Sequence, residues 1–237
     1  MTGRLLDRQV RLIEYLTSGG AIFGSKRNGP LDPSLQGINR SRLDIEARFS
    51  FEKRMEKIAA VFPLTLGLLD AHKEAVMGEF VDACPPLDIS RIENARQFHG
   101  FLSKRHKRAP HLQDYLPDVA ACELACAVAR AQTNSTSSPD VVPPDTTGSA
   151  IRRNPGVVLL RTAFDIRAIF EGASSHEPVE RETLLAIATN AGEPQIFELT
   201  AETFHLLAAL DQWIALDDMP DGLVADLAKA NLLEVRH

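Results

Sequence analysis

Cys122 and Cys126 stand four residues apart, a spacing that puts two thiols on one helix face, where both can reach the same metal ion. The run around them, VAACELACAVA, reads instead as a core stripe in which cysteine acts as a small hydrophobe, and core packing is the favoured reading. Glu123 is the odd member of that run, either a solvent-facing position or a buried carboxylate with a partner. His99, His106 and His111 lie near one another, yet no HExxH or paired-cysteine spacing accompanies them. The segment GGAIFGSK, from Gly19 to Lys26, imitates a phosphate loop. A Walker loop has lysine directly after its second glycine, whereas Ser25 stands there, and the preceding element reads as a helix rather than a strand. We therefore expect no catalytic residue, no metal site and no resident cofactor in this chain.

The one concentrated basic patch is KRHKR, Lys104 to Arg108. Cations favour helix C-termini, so a solvated helix end is the plain reading and a surface for an acidic partner the functional one. The chain has 237 residues, 44% of them hydrophobic and 24% charged, which suits one large or two small globular domains. No stretch approaches the roughly 20 apolar residues of a membrane span, and MTGRLLDRQVRLIEYL is too charged for a signal peptide. Three cysteines without a disulfide pattern point to a reducing, cytoplasmic location. A net charge of -6 argues against nucleic acid as the main partner.

The elements that must carry these residues fall into two parts. From Gln132 to Ser149 the chain reads QTNSTSSPDVVPPDTTGS, with too little apolar area to offset its ordering entropy. This predicts a helical domain over 1–131, a linker over 132–155 and a second domain over 156–237. In the first, Leu6, Val10, Ile13 and Leu16 make a helical stripe ended by Gly19 and Gly20. A second helix over about 42–61 is expected to turn Ile45, Phe49, Met55, Ile58 and Phe62 inward. Pro63 opens a short helix, Asp70 is placed to cap the next, and Pro85 and Pro86 stop it. Ser90 with Glu93 forms a capping box, and Pro117 opens a last helix to about Ala131.

The second part changes period. Val157–Arg161 and Asp165–Phe170 read as short strands, and Leu184–Thr189 with Gln195–Leu199 flank NAGEP, a hairpin signal. Thr200 caps a helix bearing Phe204, Leu207 and Leu210, and a further helix covers about 221–232. Strands followed by helices predict an α+β chain: an all-helical domain joined to a small winged-helix-like domain.

Winged folds raise DNA binding, and charge tests it. From Thr200 onward seven acids face only Lys229 and Arg236, a balance of -5 that would repel phosphates. The helix DGLVADLAKANL offers no arginine to read guanine. Such a fold has a second use, because its outer strand can accept an extended peptide as an added strand. The candidate groove is lined by Gln195, Phe197 and Leu199 on that strand and Leu223, Val224 and Leu227 on the last helix. A plain structural domain whose edge is covered is the bland alternative. A winged-helix transcription regulator with a helical sensor domain is another.

Three blocks of the first part, RMEKIAAVFPLTLGLLD, GEFVDACPPLDISRIENARQFHGFL and YLPDVAACELACAVARA, carry a resemblance. NPGVVLLRTAFDIRAIFEG, LLAIATNAGEPQIFELT and FHLLAAL continue it, so that it covers most of the chain from about Arg48. The sequence resembles the partner subunits of multinuclear non-heme iron oxidases, TIM-barrel enzymes that modify ribosomally made peptides, in the style of 3-thiaglutamate and related cysteine-modifying pathways. The resemblance implies a non-catalytic subunit. Its C-terminal domain would be like a RiPP recognition element that binds the precursor peptide, and its helical domain would dock the oxidase as a heterodimer. Iron is then expected in the partner chain, with no nucleic acid and no membrane involved.

Overall fold

The computed structural model describes residues 2–18, 22, 31–86, 90–108, 112–133, 150–172, 177–215 and 221–236. They belong to a mixed α+β chain that divides into two compact units, Met1–Gln113 and Asp114–His237. Sequence composition puts the boundary in the Ser/Thr/Pro segment, most of which lies outside the described residues, as does nearly all of GGAIFGSK. The structural division falls earlier because the helix after Gln113 packs on the sheet that follows it.

The first unit is helical: α1 (Thr2–Leu16), α2 (Arg40–Ala59), α3 (Pro63–Leu69), α4 (Lys73–Ala83) and α5 (Arg91–Arg108). Asn39 caps α2 by accepting from the Arg42 N–H, and Pro63 occupies the first turn of α3, where its missing N–H costs nothing. Asp70 does not cap α4. It adopts φ +39° and leads the chain into a 3-10 turn before that helix. The core centres on Phe62, Phe80 and Phe98, with ring centroids 5.2 Å apart for Phe62–Phe98 and for Phe80–Phe98. Ile58 is buried as expected, but Ile45 and Phe49 are 52% and 54% exposed. The reason is geometric: α2 turns a narrow face, Leu43, Ala47, Arg54 and Ile58, to the interior, and Ile45 and Phe49 fall off it. The stripe on α1 is likewise outward, with Leu5, Leu6, Val10 and Ile13 exposed.

The second unit begins with α6 (Leu116–Thr133), followed by β1 (Ala150–Arg153), β2 (Val158–Asp165), α7 (Arg167–Phe170), β3 (Val179–Asn190) and β4 (Glu193–Glu198). It ends with α8 (Ala201–Ala209), β5 (Ile214–Ala215), α9 (Asp221–Lys229) and β6 (Leu233–Arg236). The described strands form two antiparallel sheets, β2-β3-β4 and β5-β1-β6. The β3–β4 hairpin turns through Ala191 and Gly192 at φ +51° and +87°, the positive angles a two-residue turn demands. Residues 165–170, expected as a strand, instead leave β2 at Asp165 and coil into α7. The carboxylate of Asp165 accepts from the Arg167 backbone N–H and holds that turn.

Both faces of the β2-β3-β4 sheet are covered, so residues Leu185 to Thr189 are buried without alternation. Leu159, Ala186, Ala188 and Phe197 share one face and pack against Leu207 of α8 and Leu210 just after it, Val224 and Leu227 of α9, and Ile151 and Leu233 of β1 and β6. Leu185 and Ile187 point to the other face, where α6 lies along all three strands. Small residues at the buried positions of α6, including Ala120, Cys122, Ala125 and Ala129, let it approach the sheet closely.

Candidate functional site

The outer edge of β4 is the starting point. Leu199 donates its N–H to the Leu184 carbonyl, 2.8 Å, which fixes the alternation of the ladder. Residues 193, 195 and 197 therefore bond to β3, and the backbone groups of 194, 196 and 198 point away from it. Position 194 is a proline, which has no N–H to offer, so Ile196 and Glu198 supply the outward donors. No described strand pairs with this edge.

The sequence places a groove between β4 and the last helix. The structure brings Phe197, Leu199, Leu223, Val224 and Leu227 together there, but as one packed cluster, with Val224 and Leu227 each 6% exposed and Gln195 outside it in solvent. An open cleft of about 350 Å³ lies on the opposite face of the same strand, lined by Pro194 and Ile196 of β4, Cys126 and Arg130 of α6, and Arg167 and Phe170 of α7. These residues were missed because Ile196 alternates with Phe197, and choosing the face required knowing where α6 sits.

Charge within the cleft is already matched. Arg130 pairs with Glu193 at 3.0 Å, and Arg167 grips Asp165 through Nε and Nη2 at 2.9 and 2.8 Å. Arg167 also reaches Glu198 at 2.6 Å, and Arg181 bonds both carboxylates, closing a ring of two guanidiniums and two carboxylates across the strand ends. Arg167, then Arg181, hold the Asp165 carboxyl far below its ordinary range. On the opposite edge of the sheet, β2 has a bulge between Thr162 and Phe164. There the Asp118 carboxylate of α6 accepts the N–H groups of Ala163 and Phe164 at 2.8 and 3.0 Å. Asp118 takes up the donors of that edge, whereas on β4 Pro194 removes one donor and Ile196 and Glu198 keep theirs.

No protein-family model and no curated protein matches this chain. The site must be read from its own chemistry. Among the described residues no group of three or more His, Cys, Asp or Glu is placed to hold a metal, and no helix is long and apolar enough to cross a membrane. Cys122 and Cys126 are both buried; the hydrogen bond between them, followed by burial, pushes the Cys122 thiol up, and the same bond lowers Cys126. Glu123 is 5% exposed, which selects the buried reading for that carboxylate. What the cleft and strand edge offer together is backbone hydrogen bonding beside an apolar and charge-balanced wall, an arrangement suited to binding a peptide main chain.

Proposed function

We propose that this chain is a non-catalytic recognition subunit with a winged-helix-like C-terminal unit. It holds a ribosomally made precursor peptide as an added strand on the outer edge of β4. A partner TIM-barrel iron oxidase then modifies a cysteine of the tethered peptide. The observation that carries the reading is the β4 edge, which no described strand pairs, running beside the cleft of Cys126, Arg130, Phe170 and Ile196. Tethering raises the effective concentration of the reacting residue without chemistry from this chain. The apolar residues displayed by the helical unit, Val10 and Ile13 on α1 and Ile45 and Phe49 on α2, support a docking role for it. The reading also rests on the sequence resemblance from about Arg48 onward, and it takes the complex to be a heterodimer.

Co-purification with an oxidase encoded nearby, followed by titration with its precursor peptide, tests the assignment. Ile196→Pro sharpens it: the substitution deletes an outward N–H while leaving the β3–β4 ladder its donors, as Pro194 already does. Peptide affinity should fall by up to about tenfold, the worth of one main-chain hydrogen bond, with an unchanged circular dichroism spectrum. Equal affinity in a folded Ile196→Pro protein would remove the peptide from this edge. Stoichiometric iron in the isolated chain would overturn the division of labour.

A further inference from the structure

The helical unit contains a second, larger concavity that the reading above does not use. It is a groove of about 830 Å³ between the end of α4 and α5, floored by Ala83, Pro85, Gly100 and Phe101. Arg96, Lys104, Arg105 and Arg108 rise along its α5 wall, three of them from the basic run singled out in the sequence, and among the described residues Glu79 is the one acid lining it. Glu79 is bound to Arg105 through both oxygens at 2.7 and 3.0 Å, and Arg96 reaches Glu93 at 3.6 Å. Lys104 and Arg108 make no ion pair with a described residue.

A fifth cation stands behind the floor. Arg54 is 8% exposed and donates only to neutral acceptors: Asn94 Oδ1 at 2.9 Å, the Cys84 carbonyl at 2.7 Å and Gln97 Oε1 at 2.9 Å. Both Cys84 and Gln97 line the groove. With no carboxylate beside it among the described residues, and screened little by water, this guanidinium leaves its field to act on whatever occupies that space.

We infer that this groove binds a carboxylate-rich peptide segment carrying an apolar side chain between its acids. The size of the space lies within the range of ligand pockets and far exceeds a lone inorganic anion. The bidentate clasp of Arg105 on Glu79 shows that the wall already suits carboxylate geometry. Phe101 and Pro85 offer an apolar floor that phosphates would leave unused. A long polyanion such as duplex DNA is disfavoured by the net charge of -6 on the whole chain. The inference uses only the helical unit and stands whether or not a peptide adds to β4.

The test titrates the full chain with a rhodamine-labelled peptide, acetyl-Glu-Glu-Phe-Glu-Glu-amide, and reads fluorescence anisotropy. The same peptide with lysine for glutamate serves as control. Binding of the acidic peptide should weaken as salt rises, and Lys104→Glu/Arg108→Glu, two exposed changes that leave the core untouched, should weaken it at least about tenfold. Cys84 supplies an independent readout, since it lines the groove while Cys122 and Cys126 are buried: bound peptide should slow its alkylation by N-ethylmaleimide. Equal affinity in the charge-reversed protein, equal binding of the lysine peptide, or tighter binding of a DNA duplex of similar length would each overturn the proposal. Ile196→Pro should leave this binding unchanged, which separates it from the strand-edge site.

Discussion

Asp165 and Arg54 are two charged residues with opposite environments. Arg54 has no carboxylate partner among the described residues; its guanidinium is held by three neutral oxygens and lies 4.4 Å over the Phe80 ring, and burial pulls its pKa down. Asp165 has two guanidiniums and is held well below the usual carboxylate range, chiefly by its hydrogen bonds from Arg167. A depressed carboxylate stabilises the fold at every pH above its unfolded value near 3.9, and that stabilisation is lost as pH falls through the lower folded value. Because the partners in the ring are half-exposed, Asp165→Asn should cost only about 1 kcal/mol. The loss should be constant between about pH 5 and 8 and shrink progressively as pH falls below about 4. Urea unfolding of both proteins across that range checks it, and a difference that grows on acidification would mean the ring does not hold Asp165 ionised.

At the scale of elements, alternation decides which side chains of β4 are structural and which are free to recognise. Phe197 and Leu199 face the cluster with Leu223, Val224 and Leu227, while Ile196 faces the cleft. Leu227→Asp should therefore unfold the C-terminal unit, at a cost of about 3–5 kcal/mol for an unpaired charge in a packed core. Loss of cooperative urea unfolding in that unit, rather than a selective loss of ligand affinity in a folded protein, is the expected result. The hairpin itself was legible in the sequence because NAGEP contains the residues a tight turn demands, and Thr200 was legible as a cap, its hydroxyl accepting the Thr203 N–H. The three strands β1, β5 and β6 were not. Two have four residues and one has two, too short to display a period, and β6 starts where Asn231 ends α9 at φ +58°. Nor does periodicity name the neighbours of a face: Ile45 and Phe49 read as core, yet they face outward.

For the whole molecule, the partition of the chain depends on α6. Its pattern of small apolar residues shows that one face is buried but not in what, and the Ser/Thr/Pro segment after it suggested that it closes the helical half. In the structure it covers Leu185 and Ile187 of β3, and its Asp118 satisfies the two N–H groups exposed by the β2 bulge. Removing α6 would uncover two fully buried aliphatic side chains, worth about 1.5–3 kcal/mol each, and leave two bulge donors without their acceptor. Those losses together rival the roughly 5–15 kcal/mol that holds a domain folded. A fragment spanning residues 114–237 should therefore unfold cooperatively in urea, with native-like circular dichroism, while a fragment of residues 150–237 should not. If the shorter fragment folded as stably as the longer one, the sheet would be self-sufficient and α6 would belong functionally to the helical half. If only the longer one folds, any partner that displaces α6 from β2, β3 and β4 must supply an equivalent apolar face, and strand addition on β4 has to occur with α6 in place.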